Sequence, residues 1–200
     1  QDQFRNTLKA FYGVLKSADA DLRFTMLTGV TKFGKVSVFS DLNNLEDISM
    51  NKQFYSICGI SEEELHDCFD EEIGELAQHN SMSKEETYAE LRSNYDGYHF
   101  APNTPGIYNP FSILLTLKNR SFGSYWFATG TPTYLVELLK KSNFHLEDLS
   151  NVEVDADSLD SIHRADINPI PVLFQSGYLT LKDYDKEFGV YKLDYPNEEV

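Results

Sequence analysis

Five helix-start signals recur along the 200-residue chain and constrain its fold more than any other feature. Two of them are capping boxes, Ser61–Glu64 and Ser83–Glu86, in which a serine and a glutamate three residues later satisfy each other's free backbone amides. The other three place a capping side chain before a proline at the first helical position, at Asn109–Pro110, Thr131–Pro132 and Asn168–Pro169. The chain after residue 60 is therefore predicted to be mostly helical.

Apolar residues at helical spacing follow each signal and give every helix one side that faces a core. These stripes are Leu65, Phe69, Ile73 and Leu76; Tyr88, Leu91 and Tyr95; Phe111, Leu114 and Leu115; Leu135, Leu138 and Leu139; and Val172, Leu173 and Phe174. A further stripe near the start of the chain, Phe4, Leu8, Phe11 and Leu15, predicts one more helix before the first signal.

The run Leu22–Gly29 is short, mostly apolar and ends at a glycine, which is typical of a buried strand. It follows a helical segment, and this αβ order is that of a parallel sheet. Ligands of such sheets bind beyond the carboxyl ends of the strands. If the chain binds a nucleotide, Thr28 and Gly29 are therefore the candidate contact residues.

Alternating patterns elsewhere predict small β-structures. Tyr98–Phe100 with Ile107–Tyr108, and Leu179–Lys182 with Val190–Leu193, each read as a hairpin, and Val152–Val154 reads as a short strand. The only tryptophan, Trp126, has two interpretations. Its aromatic neighbours favour a core anchor, and a platform on which a base stacks is the alternative.

Gly29 to Lys35 satisfies the G-x-x-x-x-G-K part of a phosphate-binding loop. The next position should be a serine or threonine that binds Mg²⁺, but it is Val36, and Ser37 comes one place late. We favour a loop at a strand end that carries two glycines and a lysine. A free-standing P-loop enzyme that uses Lys35 is the alternative, and a Lys35→Ala variant with unchanged nucleotide binding would exclude it.

The formal net charge of −15 disfavours broad nucleic-acid binding and anionic lipid surfaces. Carboxylates surround the apolar stripe of residues 62–76, and a solvated acidic face is favoured there over a metal site. Cys58 and Cys68 are expected to be reduced thiols of a cytoplasmic protein rather than a disulfide. No apolar run has the length needed to span a membrane.

Several segments of the chain, taken in order, resemble a known family. They are residues 24–39, 42–45, 95–98, 108–111, 125–132, 174–180 and 195–200. Together they resemble the AAA-ATPase-like proteins that carry a PD-(D/E)XK-type nuclease domain at the carboxyl end.

This resemblance implies that the chain is the middle portion of a larger parent protein. The nucleotide-binding loop and the acidic metal–water residues would precede Gln1, and the nuclease carboxylates and lysine would follow Val200. ATP and Mg²⁺ would be cofactors of the parent, with no cofactor, metal or catalytic residue assigned to this part. Thr28 takes the position that resembles a sensor residue. The start at Gln1, without an initiator methionine, fits the same expectation.

The resulting prediction is an α+β chain that is mostly α-helical. Residues 1–50 would be the remnant of a parallel α/β ATPase core. Residues 51–165 would be a helical lid or winged-helix-like region, and residues 166–200 a helix and hairpin leading to the nuclease. Its function would be that of a fragment inactive on its own, whose partners are the ATPase and nuclease domains of the parent. A protein-binding or oligomerisation module is the alternative.

Overall fold

The computed structural model describes residues 2–29, 45–130, 133–142, 149, 152–159 and 168–200. It is an α+β fold in which helices predominate and a small antiparallel sheet lies toward the carboxyl end, so the predicted fold class is confirmed. The helices are α1 (Asp2–Ser17), α2 (Glu62–His79), α3 (Lys84–Tyr95), α4 (Pro110–Asn119), α5 (Tyr125–Gly130), α6 (Thr133–Ser142), α7 (Ala156–Leu159) and α8 (Ile170–Gln175). The strands are β1 (Val152–Asp155), β2 (Thr180–Asp185) and β3 (Val190–Asp194).

Both predicted capping boxes are present and set the first residues of α2 and α3. Ser61 Oγ accepts a hydrogen bond from the amide of Glu64 at 3.1 Å, and the Glu64 carboxylate accepts one from the Ser61 amide at 2.9 Å. Ser83 and Glu86 repeat the arrangement at 3.1 and 2.8 Å. The two helix starts are therefore fixed by hydrogen bonds between residues three positions apart and do not depend on tertiary packing.

The asparagine cap predicted for α4 is also confirmed. Asn109 Oδ1 accepts hydrogen bonds from the amides of Phe111 at 3.0 Å and of Ser112 at 3.4 Å. Pro110 follows as the first residue of the helix, where its missing N–H costs nothing. The similar pair Thr131–Pro132 lies outside the described residues.

The helices α2, α3 and α4 pack together around a first core. Its buried side chains are Leu65, Ile73, Leu76, Leu91, Tyr95, Tyr108, Ile113 and Leu117. The apolar stripes predicted for α2 and α3 point into this core.

The face predicted for α4 is wrong. Phe111 and Leu114 are exposed, and the helix buries Ser112, Ile113, Thr116 and Leu117 instead. The inward face includes Ser112 because a buried carboxylate from the far end of the chain hydrogen-bonds to it. A count of apolar residues cannot anticipate a polar side chain that has a buried partner.

The three strands form one antiparallel sheet in the order β1-β3-β2. Leu193 in the central strand pairs with Val152 on one side and Leu181 on the other. The predicted strand near residue 152 and the predicted carboxyl-terminal hairpin are thus confirmed. The register of β2 against β3 shifts between Leu181 and Asp183.

A second core joins this sheet to α6, α7 and α8. Its buried residues are Leu135, Leu138, Leu149, Leu159, Ile170, Val172, Leu173, Tyr178, Leu179, Leu181 and Leu193. Asn168 Oδ1 accepts the amide of Ile170 at 3.0 Å, but the N-cap position of α8 is Pro169 and no side chain caps the helix, so the predicted Asn168 cap is wrong. Pro169 precedes the helix rather than opening it, and α8 therefore begins one residue later than expected.

The hairpin predicted near residue 100 is reduced to a single antiparallel bridge between Tyr98 and Ile107. A second isolated bridge joins Ile60 to Tyr108 and fixes the approach to α2. Cys58 and Cys68 are exposed free thiols, in agreement with the expectation. None of the helices that the structure describes combines the length and the apolar character needed to cross a bilayer.

The strand predicted at Leu22–Gly29 does not form. A 3-10 turn, Asp19–Asp21, follows α1, and the described residues after it carry no strand up to Gly29. A strand needs a neighbouring strand to satisfy its backbone, and the described part of the chain offers none here. The parallel ATPase-core remnant is therefore not seen among the described residues. The predicted domain boundary at 165 stays a prediction, because residues 160–167 lie outside them.

Candidate functional site

The two residues predicted to contact nucleotide, Thr28 and Gly29, lie at the end of an amino-terminal arm, which we define as residues 2–29. Both are exposed. Except for Gly29, the P-loop-like stretch that contains Gly34, Lys35, Val36 and Ser37 lies outside the described residues. Nothing in the described part of the chain tests the sensor role of Thr28, which stays a prediction.

Large apolar side chains of the arm are exposed to solvent. On α1, Phe11 is 69% exposed, and Leu8 and Val14 are also exposed. Beyond the 3-10 turn, Phe24 is 79% exposed and Met26 is open as well. The first fully buried side chain among the described residues is Leu65, in α2. We define residues 45–200 as the body. Its described residues form two buried cores, whereas no described side chain of the arm is buried.

Within the body, segments that carry the family resemblance meet at one place. Residues 95–98 end α3, residues 108–111 open α4, and residues 125–130 form α5. Residues 174–180 join α8 to β2, and residues 195–200 follow β3. Hydrogen bonds and one ring contact link all five, and we call this meeting point the junction. It connects elements of the first core with the segment after β3, so it is the body's candidate functional site.

Glu199 is the centre of the junction. Its side chain is only 5% exposed, which is rare for a carboxylate. Its two oxygens accept the Ser112 hydroxyl at 2.9 and 2.7 Å, and one of them also accepts the backbone amide of Trp126 at 2.8 Å. These three contacts join the segment after β3 to α4 and α5. A buried carboxylate needs such donors to offset its lost hydration.

Asn197 makes the next set of links. Its side-chain amide donates to the backbone carbonyl of Asp96 at 2.7 Å, and its side-chain oxygen accepts the amide of Glu199 at 3.2 Å. The amide of Glu198 donates to the carbonyl of Ser93 at 3.1 Å. The segment after β3 is therefore bonded along its length to the end of α3.

Two glycines permit this close approach. Gly97 has a φ of +93°, and a Cβ there would lie 2.2 Å from the carbonyl oxygen of Pro196. Gly177 has a φ of +85° and lies beneath the rings of Trp126 and Tyr98. Left-handed backbone is costly for residues with a side chain, so both positions require glycine.

The aromatic side chains at the junction pack as a cluster. Trp126 lies 5.1 Å from Tyr178, centroid to centroid, and is half-buried against the second core. This position supports the core-anchor interpretation of Trp126. The hydroxyl of Tyr95 donates to the carbonyl of Gly123 at 3.0 Å and thereby fixes the turn before α5.

Burial changes the acid–base properties of the junction. It raises the pKa of the Tyr98 phenol to about 12, so this group stays neutral at physiological pH. Burial also lowers the pKa of the Lys182 ammonium, while the carboxylates of Asp194 and Asp96 act in the opposite direction. Lys182 Nζ donates to the carbonyl of Pro196 at 3.1 Å. The lysine thus adds one more link to the segment after β3.

The hydrogen bonds of Glu199 to Ser112 and Trp126, which we call the clasp, hold the segment after β3 to α4 and α5. The Ser112–Glu199 pair has the composition of a hydroxyl and a base, but Ser112 is 0% exposed and no substrate can reach it. Among the described residues, no group of three or more His, Cys, Asp or Glu side chains is placed to hold a metal ion. The junction therefore joins elements of the two cores through buried hydrogen bonds.

Three carboxylates on the acidic face of α2, Glu62, Asp70 and Glu75, form ion pairs with basic side chains outside the helix. The carboxylate of Glu62 accepts the hydroxyl of Tyr108 at 2.5 Å and also binds Arg92. Burial would raise the pKa of Glu62, but these bonds outweigh it and lower the pKa. Further along the helix, Glu75 pairs with Arg120 at 2.6 Å. These pairs fix α2 to its neighbours.

Sequence reasoning did not assign roles to Glu199, Asn197 and Ser112. The signal was present in the segment Tyr195–Val200, which belongs to the resemblance, but one sequence gives no partner for it. A contact between residues 87 positions apart has no local pattern.

Two comparisons with known proteins match this chain, one over its first residues only and the other over nearly its whole length. A family model described as a predicted AAA-ATPase, AAA-ATPase-like, matches residues 1–39. The chain is also similar to an uncharacterized protein in the vnfD 5' region of Azotobacter chroococcum mcd 1. The two are 38% identical over 201 residues, which are 99% of this chain and 36% of that protein. The chain thus spans little more than a third of the relative's length. No solved structure matches the chain.

Proposed function

We propose that this chain is one part of a nucleotide-binding, nuclease-associated ATPase-like protein of the cytoplasm, and that it catalyses no reaction on its own. The match of the ATPase-like family model to residues 1–39 supports this proposal. The extent of the relative supports it too, because 64% of that protein lies beyond the region of similarity, given 100% minus the 36% covered.

The observation that carries the proposal is the exposed apolar surface of the arm. The residues matched by the ATPase-like model include the helix and extended segment whose apolar side chains are exposed. Exposed apolar surface of this kind is unusual in a domain that folds alone, and it marks an interaction site. An ATPase core completed by other parts of the protein would cover it.

Under this proposal ATP and Mg²⁺ bind to the parent protein. Thr28 stands on an exposed arm, so by itself it cannot enclose a nucleotide, and the remaining contacts come from outside the described residues. A hydroxyl at this position would hydrogen-bond to the γ-phosphate or the attacking water and so sense hydrolysis. Gly29, next to it, would let the backbone approach the phosphates closely.

The body would be the connection between the ATPase-like core and the nuclease domain. The winged-helix-like region is predicted at residues 51–165, whereas the described elements that follow a winged-helix order, α6-β1-α7-α8-β2-β3 with a β1-β3-β2 sheet, lie at residues 133–194. Nucleic-acid contact through this unit is disfavoured, because Ile170, Pro171, Val172 and Leu173 of α8 are buried. The net charge of −15 acts in the same direction. We infer a positioning role for the body.

The test is ATP turnover by two purified proteins, this 200-residue chain and the complete polypeptide encoded by the gene, each with Mg²⁺. We expect hydrolysis only by the complete polypeptide, and a loss of about tenfold or more when Thr28 is replaced by valine. Turnover by the 200-residue chain alone would contradict the proposal, as would a complete polypeptide that neither binds nor hydrolyses ATP.

A protein-binding or oligomerisation module is the second candidate, and the same exposed residues of α1 favour it. Light scattering over a concentration series distinguishes the two. A second copy covering the arm would give a dimer whose population rises with concentration and falls when Phe11 is replaced by serine. A monomer at all concentrations would remove this candidate.

A further inference from the structure

We propose that the Ser112 hydroxyl and the Trp126 backbone amide form a binding site for a carboxylate group, and that Glu199 closes this site to outside carboxylates as a tethered ligand. We call these two donors the carboxylate site. The class of ligand that the site would take is a small monocarboxylate such as acetate. The proposal concerns the body alone and does not depend on the proposed function.

The geometry of the two donors matches a carboxylate group. The two oxygens of Glu199 accept the Ser112 hydroxyl at 2.9 and 2.7 Å, and one of them also accepts the Trp126 amide at 2.8 Å. Ser112 is 0% exposed and Glu199 is 5% exposed, so water competes little for these bonds. Hydrogen bonds to a charged oxygen are stronger in such surroundings than at the surface. Because both donors are neutral, the site recognises the group by hydrogen-bond geometry rather than by an opposite charge.

Both donors are held in place without the help of the segment after β3. Ser112 lies in the first turn of α4, and its backbone amide donates to Asn109 Oδ1 at 3.4 Å. Trp126 lies in α5, and the Tyr95 hydroxyl fixes the turn before that helix. This hydroxyl donates to the carbonyl of Gly123 and accepts the amide of the same residue, both at 3.0 Å. The carboxylate site is therefore preorganised, which favours binding of a free ligand.

The backbone of Glu199 is also held independently of its carboxylate. Its amide donates to Asn197 Oδ1 at 3.2 Å, and the Asn197 side-chain amide donates to the carbonyl of Asp96 at 2.7 Å. The amide of Glu198 donates to the carbonyl of Ser93 at 3.1 Å. Shortening Glu199 to alanine should therefore leave the backbone in place and open a cavity. The atoms removed are a methylene and a carboxylate, which match acetate apart from one hydrogen.

The same contacts explain why Glu199 closes the site in the native chain. A tethered group has a high effective concentration at its own site, so free carboxylate at ordinary concentrations does not displace it. Without this side chain, the Ser112 hydroxyl and the Trp126 amide stay buried without an acceptor, which is unfavourable. An outside carboxylate that enters the cavity restores the acceptor, and only a small one fits.

Thermal unfolding of Glu199→Ala in the full 200-residue chain tests the proposal. The variant is heated at pH 7 in sodium acetate and, separately, in sodium chloride of equal ionic strength. A concentration of acetate roughly tenfold above its dissociation constant should raise the midpoint by about 3–6 °C, because the ligand binds only the folded state. Acetate also acts as a general salt, so the rise is compared with that of the unaltered chain. The unaltered chain should show no more than this general effect.

Matched variants separate the site from general effects. Glu198→Ala removes the exposed neighbouring carboxylate and should respond to acetate as the unaltered chain does. Adding Ser112→Ala to Glu199→Ala removes one of the two donors and should abolish most of the response to acetate.

Exchange of the Trp126 amide hydrogen, followed by nuclear magnetic resonance, reports occupancy of the site directly. We expect this exchange to be slow in the unaltered chain, at least about tenfold faster in Glu199→Ala in chloride, and slow again in acetate. The amides of β3 serve as the reference for changes in global stability, because this strand is paired on both sides.

Three results would overturn the proposal. The first is an equal response to acetate in Glu199→Ala and Glu198→Ala, and the second is a full response in the double variant. The third is a response of the unaltered chain as large as that of Glu199→Ala, which would show that the site is not closed. If Glu199→Ala is unfolded in chloride, acetate must restore its folded circular dichroism spectrum. A variant that stays unfolded in acetate would contradict the proposal as well.

Discussion

The arm and the body both contain amphipathic helices but differ in whether the apolar side of each helix is buried. Both contain helices with apolar stripes at regular spacing. The helices of the body bury their stripes in two cores, whereas none of the described side chains of α1 is buried. The difference teaches that an amphipathic pattern predicts a helix but not the surface that will cover it.

The junction connects the two cores of the body. Its first core is built from α2, α3 and α4, and its second from the sheet and the later helices. Glu199 and Asn197 bond the segment after β3 to the first set of elements. These hydrogen bonds connect the elements of the two cores, together with those between His99 and Thr180.

The largest effect on the free energy of unfolding should come from shortening a buried side chain of the body. The same change in the arm should have little effect. Leu91 is fully buried, so Leu91→Ala should lower the free energy of unfolding by about 3 kcal/mol. Leu8→Ala in α1 should change it by less than about 0.5 kcal/mol, because Leu8 is exposed. Urea titration followed by circular dichroism measures both, and equal losses would break the comparison.

A smaller but still large effect should come from the buried carboxylate. Glu199→Ala leaves the Ser112 hydroxyl and the Trp126 amide buried without their acceptor, at a cost of about 2–3 kcal/mol. The neighbouring Glu198→Ala is the matched control, since that side chain is exposed. Fluorescence of Trp126, the only tryptophan, reports the unfolding. Indistinguishable midpoints for the two variants would show that the clasp contributes nothing.

Glycine substitutions should shift stability in opposite directions. Gly97→Ala forces a side chain into left-handed backbone and against the Pro196 carbonyl, and should cost about 1–2 kcal/mol or more. Gly74 lies within α2, and a Cβ there meets nothing within 4 Å, so Gly74→Ala should stabilise by about 0.5–1 kcal/mol. Thermal melts of the two variants test the contrast. A stabilising Gly97→Ala would mean that the chain after β3 does not lie on this glycine.

The smallest effect is a pH dependence at the start of α2. Hydrogen bonds from the Ser61 amide and hydroxyl lower the pKa of Glu64 below its ordinary 4.5. The unfolded state therefore binds the proton more readily, and this stability is present above pH 4.5 and lost as pH falls through the lowered pKa. Glu64→Gln should remove a few tenths of a kcal/mol at pH 7, since solvent screens an exposed group, and nothing at the low-pH end.

Urea titrations at pH 7 and at low pH measure this difference, with the exposed neighbour Glu63→Gln as the control. A loss of equal size at both pH values would show that the charge of Glu64 plays no part in the capping box.

The helix starts were predictable from sequence because their causes are local. Ser61, Ser83 and Asn109 each act on amides two or three residues away, and the structure contains all three caps. The hairpin of β2 and β3 was predictable for the same reason, since its strands are joined by a short turn. Local chemistry of this kind needs no knowledge of the tertiary fold.

Other features could not be predicted because their causes are distant. The buried face of α4 depends on Glu199, which lies 87 residues from Ser112. The strand expected at residues 22–29 has the right pattern, but its formation depends on a neighbouring strand that the described chain does not supply. The sensor role of Thr28 depends on the same missing surroundings.

The most direct test of the account is the free energy of unfolding of a chain that begins at Val30, compared with that of the full 200 residues. The arm has no described buried side chain, so its removal should change this free energy by less than about 0.5 kcal/mol and leave one cooperative transition. A loss of more than about 2 kcal/mol, or a truncated chain that fails to fold, would contradict the claim that the body is finished without the arm.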